Sequence, residues 1–302
     1  MSAKVLCVGR IYCDLVFSGI VDLPRAGQET YAKDLTLFAG GGAYITGAYL
    51  AAAGLETSLC GIIPNGLFGA AIEDELAGSG LNLRACQNAG AHVQPQVTVV
   101  MSSEFDRAFL TRRTGAALPD TFSQTIATGG FTHLHIAELA TLQEHPELIT
   151  LAKQNGLSIS LDCAWDEAAM TAPNGMDLLK NVDLFLPNEP ELLKISPSDD
   201  GVDGAAKKLA ESGPIVVVKR GAAGAGYWGP NGNYSAAPLK TAKAIDPTGA
   251  GDAFNAGFLA RWLTDASPED CLKNGNAFGM AAIGQLGGAT AARSLKSQTV
   301  AV

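Results

Sequence analysis

The chain has 302 residues, 47% of them hydrophobic and only 17% charged, a composition that builds a packed core and excludes a disordered protein. Its formal net charge of −9 argues against nucleic acid or an anionic membrane surface as partner, because both recruit basic patches. No run approaches the roughly 18 apolar residues of a membrane span, and the opening MSAKVLCVGR is too short an apolar stretch for a signal peptide, so a cytoplasmic protein is expected.

From the N-terminus, Lys4–Gly9 is a short apolar run closed by glycine, the pattern of a buried strand. Asp14–Pro24 and Glu29–Gly40 alternate roughly between apolar and polar, as half-exposed strands do. Gly42–Gly54 is small, apolar and unbroken, which predicts a buried helix ended by glycine. Thr57–Ile63 reads as a buried strand and Gly66–Gly80 as an amphipathic helix. Gln94–Leu110 predicts two strands joined by a polar turn. Short apolar strands then recur at Thr132–Leu139, Leu157–Cys163, Val182–Asn188 and Pro214–Gly221, with helical segments such as His145–Gly156 and Val202–Gly213 between them.

Such alternation predicts βαβ units with right-handed crossovers: an α/β fold with a mainly parallel central sheet and helices on both faces. Two strand-rich regions without helices, roughly 11–38 and 93–112, are expected to pair into a small β-sheet lid. Residues 1–10, 39–92 and 113–302 then form the main domain. Ligands of open parallel sheets bind beyond the carboxyl ends of the strands. That draws attention to Asp14, the Gly40–Gly42 turn, Glu138, Asp162, Asn188, Gly221 and the turn from Gly249 to Asp252. The six cysteines form no CxxC pair and lie mostly in apolar runs, as buried free thiols in a reducing compartment would.

The segment AIDPTGAGDAFNAGF, Ala244–Phe258, places Gly249, Ala250 and Gly251 before a helical pattern. A helix start has unpaired N–H groups and partial positive charge, and small residues let an anion approach them. Glycines chosen only for a tight turn would look the same. Asp252 favours the chemical reading, since a carboxylate beside a transferring phosphoryl group can accept the proton of an attacking hydroxyl; a plain helix cap is the alternative. No GxxxxGK[ST] loop occurs. A GxGxxG at Gly224, Gly226 and Gly229 runs into Pro230-Asn231-Gly232, a turn, and so lacks the helix that a dinucleotide site needs.

The run DPTGAGDAFNAGF resembles the C-terminal signature of the ribokinase-like (PfkB) carbohydrate kinases. The likeness extends to Asp14 beyond the first strand, the GGG turn, NEPE at Asn188–Glu191 and VVVKRGAAGA at Val216–Ala225. It implies a ribokinase-like three-layer α/β/α domain with a small β lid, using ATP and Mg2+. By the same resemblance Asp252 is the base and Gly249, Ala250 and Gly251 its anion hole. Asn188, Lys219, Gly221, Gly224 and Asn276 border the nucleotide. Glu191 organises Mg2+ through water, and Asp246 with Thr248 would hold K+. Asp14, Gly41, Gly42 and Glu138 face the acceptor, and a homodimer through the lid is implied.

One position departs from the pattern. The family usually has Asn five residues after the first glycine of the GGG turn, and here that residue is Ile45. The acceptor's identity is therefore open. An ATP-dependent kinase for a sugar or sugar-like molecule is the leading reading; a nucleoside kinase, a non-catalytic metabolite binder and a dehydrogenase are the others. His133 and His135 share a strand face without an acidic or Cys cluster, which disfavours a metal site. Arg107, Arg112 and Arg113 near the lid are either solvated or anion-binding, and Trp165 and Asp166 either line a pocket or pack.

Overall fold

The computed structural model describes residues 3–103, 107–239 and 244–299. Its strands in chain order are β1 (Lys4–Val8), β2 (Tyr12–Ile20), β3 (Asp34–Gly40), β4 (Glu56–Cys60), β5 (Ile62–Ile63), β6 (Gln87–Asn88) and β7 (Val97–Ser103). There follow β8 (Arg107–Arg112), β9 (His133–Ile136), β10 (Ser158–Leu161), β11 (Leu184–Phe185), β12 (Ile215–Lys219), β13 (Ala225–Gly229) and β14 (Gly232–Ala236).

Eight strands form the main sheet in the order β14-β13-β12-β11-β10-β9-β1-β4. It is parallel from β12 through β4 and antiparallel at the β12–β13 and β13–β14 pairings. Period-two alternation makes it a double-sided core. Val5 and Cys7 of β1 join one apolar cluster with Tyr49, Phe254 and Phe258, while Leu6 and Val8 join another with Leu134, Leu161 and Phe185. Helices cover both faces, giving the expected three layers. The helix Gly42–Ala52 is apolar all round and almost wholly buried, as such a composition requires. All six cysteines are free, five of them buried and Cys86 half-buried.

The regions 11–38 and 93–112 contribute a second sheet, ordered β3-β2-β7-β8. Its outer pairings are antiparallel and its central β2–β7 pairing is parallel. Burial alternates along it: Asp14, Val16, Thr98 and Val100 are buried, whereas Leu15, Phe17, Val99 and Met101 on the other face are only half-buried. Arg10 fastens the base of this lid. It is 2% exposed and donates to Gln96 Oε1 (2.9 Å), the Gly115 carbonyl (2.9 Å) and both oxygens of Glu144 (2.5 and 2.7 Å).

Two strand expectations need correction, and three other expectations meet the following outcomes. The strand expected over Glu29–Gly40 begins only at Asp34. Thr57–Ile63 is two strands, because chain direction changes at Gly61 and β5 leaves to pair with β6. The polar turn between β7 and β8 lies outside the described residues. The GxGxxG segment is the β13–β14 hairpin, with Gly224 at its entrance and Gly226 and Gly229 within β13, so no helix start faces a dinucleotide there. His133 and His135 bond to the Ser158 and Ser160 hydroxyls across β10, each at 2.8 Å.

Candidate active site

The helix Ala250–Trp262 begins at the carboxyl edge of the main sheet. Gly249 caps it in the left-handed conformation, φ 73°, and a Cβ there would lie 2.6 Å from Gly288 Cα. Only glycine meets both conditions. Ala250 and Gly251 supply the next backbone N–H groups, and Asp252 is the third helical residue. Since Gly249 holds the cap position, the alternative that Asp252 serves as the cap is set aside. Its carboxyl faces the opposite glycine turn: a Cβ on Gly42 would sit 2.8 Å from Asp252 Oδ1. Gly41, at φ 100°, starts the helix Gly42–Ala52 so that the turn can pass this closely.

Between lid and body lies a cleft of ≈ 1040 Å³ that receives Asp14, Gly41, Gly42, Ile45, Glu138, Thr248, Gly249 and Asp252. These come from widely separated parts of the chain, yet all reach one space. Asp14 is pushed up to about 7, first by burial, with Glu75 and Asp246 adding to the effect and a Thr98 hydrogen bond opposing it. Burial likewise raises Glu138, which accepts a 2.7 Å hydrogen bond from Thr141 Oγ1. Burial and the neighbouring Asp162 raise Asp252, while Lys219 pulls it down. Ile45 is 4% exposed, and its Cδ1 packs so closely on Gly288 that a Cβ there would be 2.6 Å away.

The remaining singled-out residues are not part of the lining of this cleft. Asn188 and Glu191 form a capping box at the start of the helix Glu189–Ile195: Asn188 Oδ1 accepts from the Glu191 N–H and Glu191 Oε2 from the Asn188 N–H. Glu191 is raised by burial and by Asp162. Asp246 is fully buried, its two oxygens accepting the N–H groups of Thr248 (2.9 Å) and Gly287 (3.0 Å). Gly221 lies in a single 3-10 turn and Gly224 enters β13 at φ 90°. Asn276 donates to the Ala236 and Ala237 carbonyls at the end of β14. Lys219 ends β12, and its ammonium turns inward to Asp162 (2.9 and 3.0 Å) and Asn255 Oδ1 (3.2 Å).

Asp162 and Asn255 carried no role in the sequence reading, although Asp162 was marked by its place at the end of β10. Asn255 could have been found by spacing, since three residues past Asp252 is the same helix face. The arginines divide. Arg107 lines the cleft and reaches Thr248 Oγ1 at 3.5 Å, Arg113 pairs with Asp166 at the cleft wall, and Arg112 donates to the Pro95 carbonyl. Trp165 also lines the cleft, 62% exposed, beside Ala164 at φ 50°. Among the described residues no helix is long and apolar enough to cross a membrane.

The pfkB family of carbohydrate kinases matches over residues 2–295. A cytidine kinase of Thermococcus kodakarensis is 35% identical over 100 residues, 33% of this chain and 36% of that one. An uncharacterized sugar kinase of Archaeoglobus fulgidus is 37% identical over 120 residues, 39% of this chain and 47% of that one, so the chain spans half or less of both relatives. An ATP-dependent ribose-1-phosphate kinase of Halopiger xanaduensis aligns over nearly everything, 95% of this chain and 94% of its own, at 25% identity. Among solved structures, the Arabidopsis thaliana ribokinase complexed with ribose and ATP superposes with a TM-score of 0.80 at 21% identity, covering 100% of both chains. At that identity the likeness speaks for the fold.

Proposed function

Because the chain belongs to the pfkB family of carbohydrate kinases, we propose that it is an ATP-dependent phosphotransferase whose acceptor is a hydroxymethyl group of a sugar or sugar-like small molecule. The observation that carries this reading is the position of Asp252, in the first turn of a helix with a glycine cap and facing a cleft that also holds Asp14 and Glu138. In the proposed step Asp252 takes the proton of the acceptor hydroxyl as its oxygen attacks the γ-phosphorus. The bond to the β–γ bridging oxygen breaks, and ADP leaves. The N–H groups at the start of the Asp252 helix stabilise the charge on the moving phosphoryl group.

Mg2+ suits the acids present, since it keeps much of its water and takes few protein carboxylates. Glu191 would organise it, with one oxygen committed to the capping box, and the ion would neutralise phosphate charge. A K+ ion at Asp246 and Thr248 is a secondary proposal, because the Asp246 carboxylate already braces its loop. ATP consumption with Mg2+ across sugars, sugar acids, polyols and nucleosides is the direct test. A folded protein that binds ATP and phosphorylates none of them would favour the non-catalytic alternative.

The acceptor should reflect Ile45. An apolar surface leaves a buried ring hydroxyl unpaired, at a cost of about 1–3 kcal/mol. Weak activity on ribose and fructose is expected, with better activity on a deoxy sugar, a sugar derivative or a nucleoside. Ile45→Asn should improve KM for ribose relative to the best acceptor, by up to about tenfold for one hydrogen bond gained. Efficient use of ribose by the unaltered chain would end this inference about Ile45.

We also propose a homodimer through the lid. Its outer face is apolar, with Leu35 49% and Leu110 67% exposed alongside the half-buried Phe17 and Met101. Sedimentation velocity should then give about twice the 31.1 kDa chain mass, and Leu110→Glu should halve it. A wild-type monomer at micromolar concentration would refute this.

A further inference from the structure

The Asp252 helix is braced from below by a cation. Lys219, at the end of β12, is nearly enclosed and donates to both oxygens of Asp162 and to Asn255 Oδ1. Asn255 is fully buried and closes the triangle by donating to Asp162 Oδ2 at 2.5 Å. It stands three residues beyond Asp252 on the same helix. The ammonium also lies directly beneath the first turn, for a Cβ on Gly251 would be 3.5 Å from Lys219 Nζ. A single polar triangle thus links the ends of β10 and β12 to the helix that carries Asp252.

We propose that Lys219 is a positioning residue for Asp252: clamped by Asp162 and Asn255, its ammonium offsets the surrounding carboxylates and keeps Asp252 ionised, ready to accept a proton. The inference rests on the reading of Asp252 as the base.

The charges facing Asp252 show why an offset is needed. Asp162 comes from the end of β10, Glu191 from the helix Glu189–Ile195 and Glu138 from the end of β9, and all three push its proton affinity up. The Tyr49 phenol on the helix Gly42–Ala52 senses Asp252 too, and burial keeps that phenol neutral. Among the described residues that act on Asp252 most strongly, Lys219 is the cation that lowers the affinity. Its own proton is secured by Asp162, Glu191 and Asp252, which together outweigh burial.

The test needs no acceptor. The full chain is labelled with [13Cγ]aspartate, and the resonance missing from Asp252→Asn identifies Asp252. Its titration midpoint is followed in the wild type, Lys219→Met, Lys219→Arg and Asp162→Asn. Losing a close opposite charge should raise the midpoint in Lys219→Met by about one pH unit or more. Lys219→Arg, which keeps the charge, should stay close to wild type. Asp162→Asn removes a like charge while leaving an acceptor for the ammonium, so its midpoint should fall. A merely structural triangle would not move the two variants in opposite directions. An unchanged midpoint in Lys219→Met overturns the proposal. If that variant does not fold, a midpoint in Asp162→Asn that fails to fall does the same. Whether Asp252 is the base is decided separately, by turnover of Asp252→Asn.

Discussion

Asp252→Asn is expected to lower kcat by about 10²–10⁴, the usual contribution of a positioned general base, while ATP affinity changes little. Asparagine keeps the size of the side chain and its place in the first turn, but it cannot take the hydroxyl proton. The structure adds a second readout. Burial and Asp162 raise the proton affinity of Asp252, so the folded state holds that proton more tightly than the unfolded chain does. Stability therefore falls as pH rises from the unfolded value through the folded one, and the penalty persists above it. Asp252→Asn removes that penalty, and its Tm at pH 8 should equal or exceed that of the wild type. Loss of turnover with preserved or increased Tm marks a chemical role. Near wild-type turnover on a verified acceptor would show the mechanism to be wrong.

Gly251→Val should cost about 10²–10³ in kcat, because its side chain would keep the γ-phosphate away from the backbone N–H groups, an effect on the scale of losing preorganised donors. The fold should accept it: the atoms nearest a Cβ at Gly251 belong to the flexible Lys219 side chain, at 3.5 Å and beyond. Gly249 provides the contrast. There a side chain meets Gly288 backbone at 2.6 Å and inherits φ 73°, so Gly249→Val should fail to fold properly, and its inactivity would say nothing about phosphate. Circular dichroism and a thermal melt separate the two cases. A folded Gly251→Val with normal activity would leave the turn a purely structural device.

Most of the body was legible because its parallel strands are buried on both faces and read as short apolar runs between helices. The β13–β14 hairpin was not. Glycines at 226, 229 and 232 interrupt the period-two pattern and look like turn residues. In the fold, Gly226 makes room for the Trp228 ring and Gly229 for the Tyr227 ring, which explains glycine inside a strand. The cleft residues were readable from their places at strand ends and from the glycine turns. The Lys219–Asp162–Asn255 triangle was not, since it joins positions 57 and 93 residues apart. By resemblance Lys219 was expected on a strand beside the nucleotide; only the packed sheet shows that its ammonium turns inward. Similarly, NEPE reads as a phosphate and metal motif, while its backbone also explains it as a capping box.

The lid has a further consequence, for the order in which the molecule assembles. Its sheet is two hairpins, β2–β3 and β7–β8, joined by the parallel β2–β7 pairing. Cys13 thereby lies opposite Val97, with a helix, β4 and a second helix of the body strung between them in the chain. A lone two-stranded hairpin is marginal in water, so neither half can wait as a finished piece. Closing a loop of that length must precede any reward from the pairing, which makes the contact slow to form. The body can condense first; the lid wall that completes the cleft is expected to come late. The same logic runs backwards. Opening the central β2–β7 seam would leave two weak hairpins, so the acceptor side should exchange its amide protons sooner than the β9–β1–β4 core. A fragment carrying either hairpin alone should therefore not form the lid sheet, which is expected to complete the cleft late in folding.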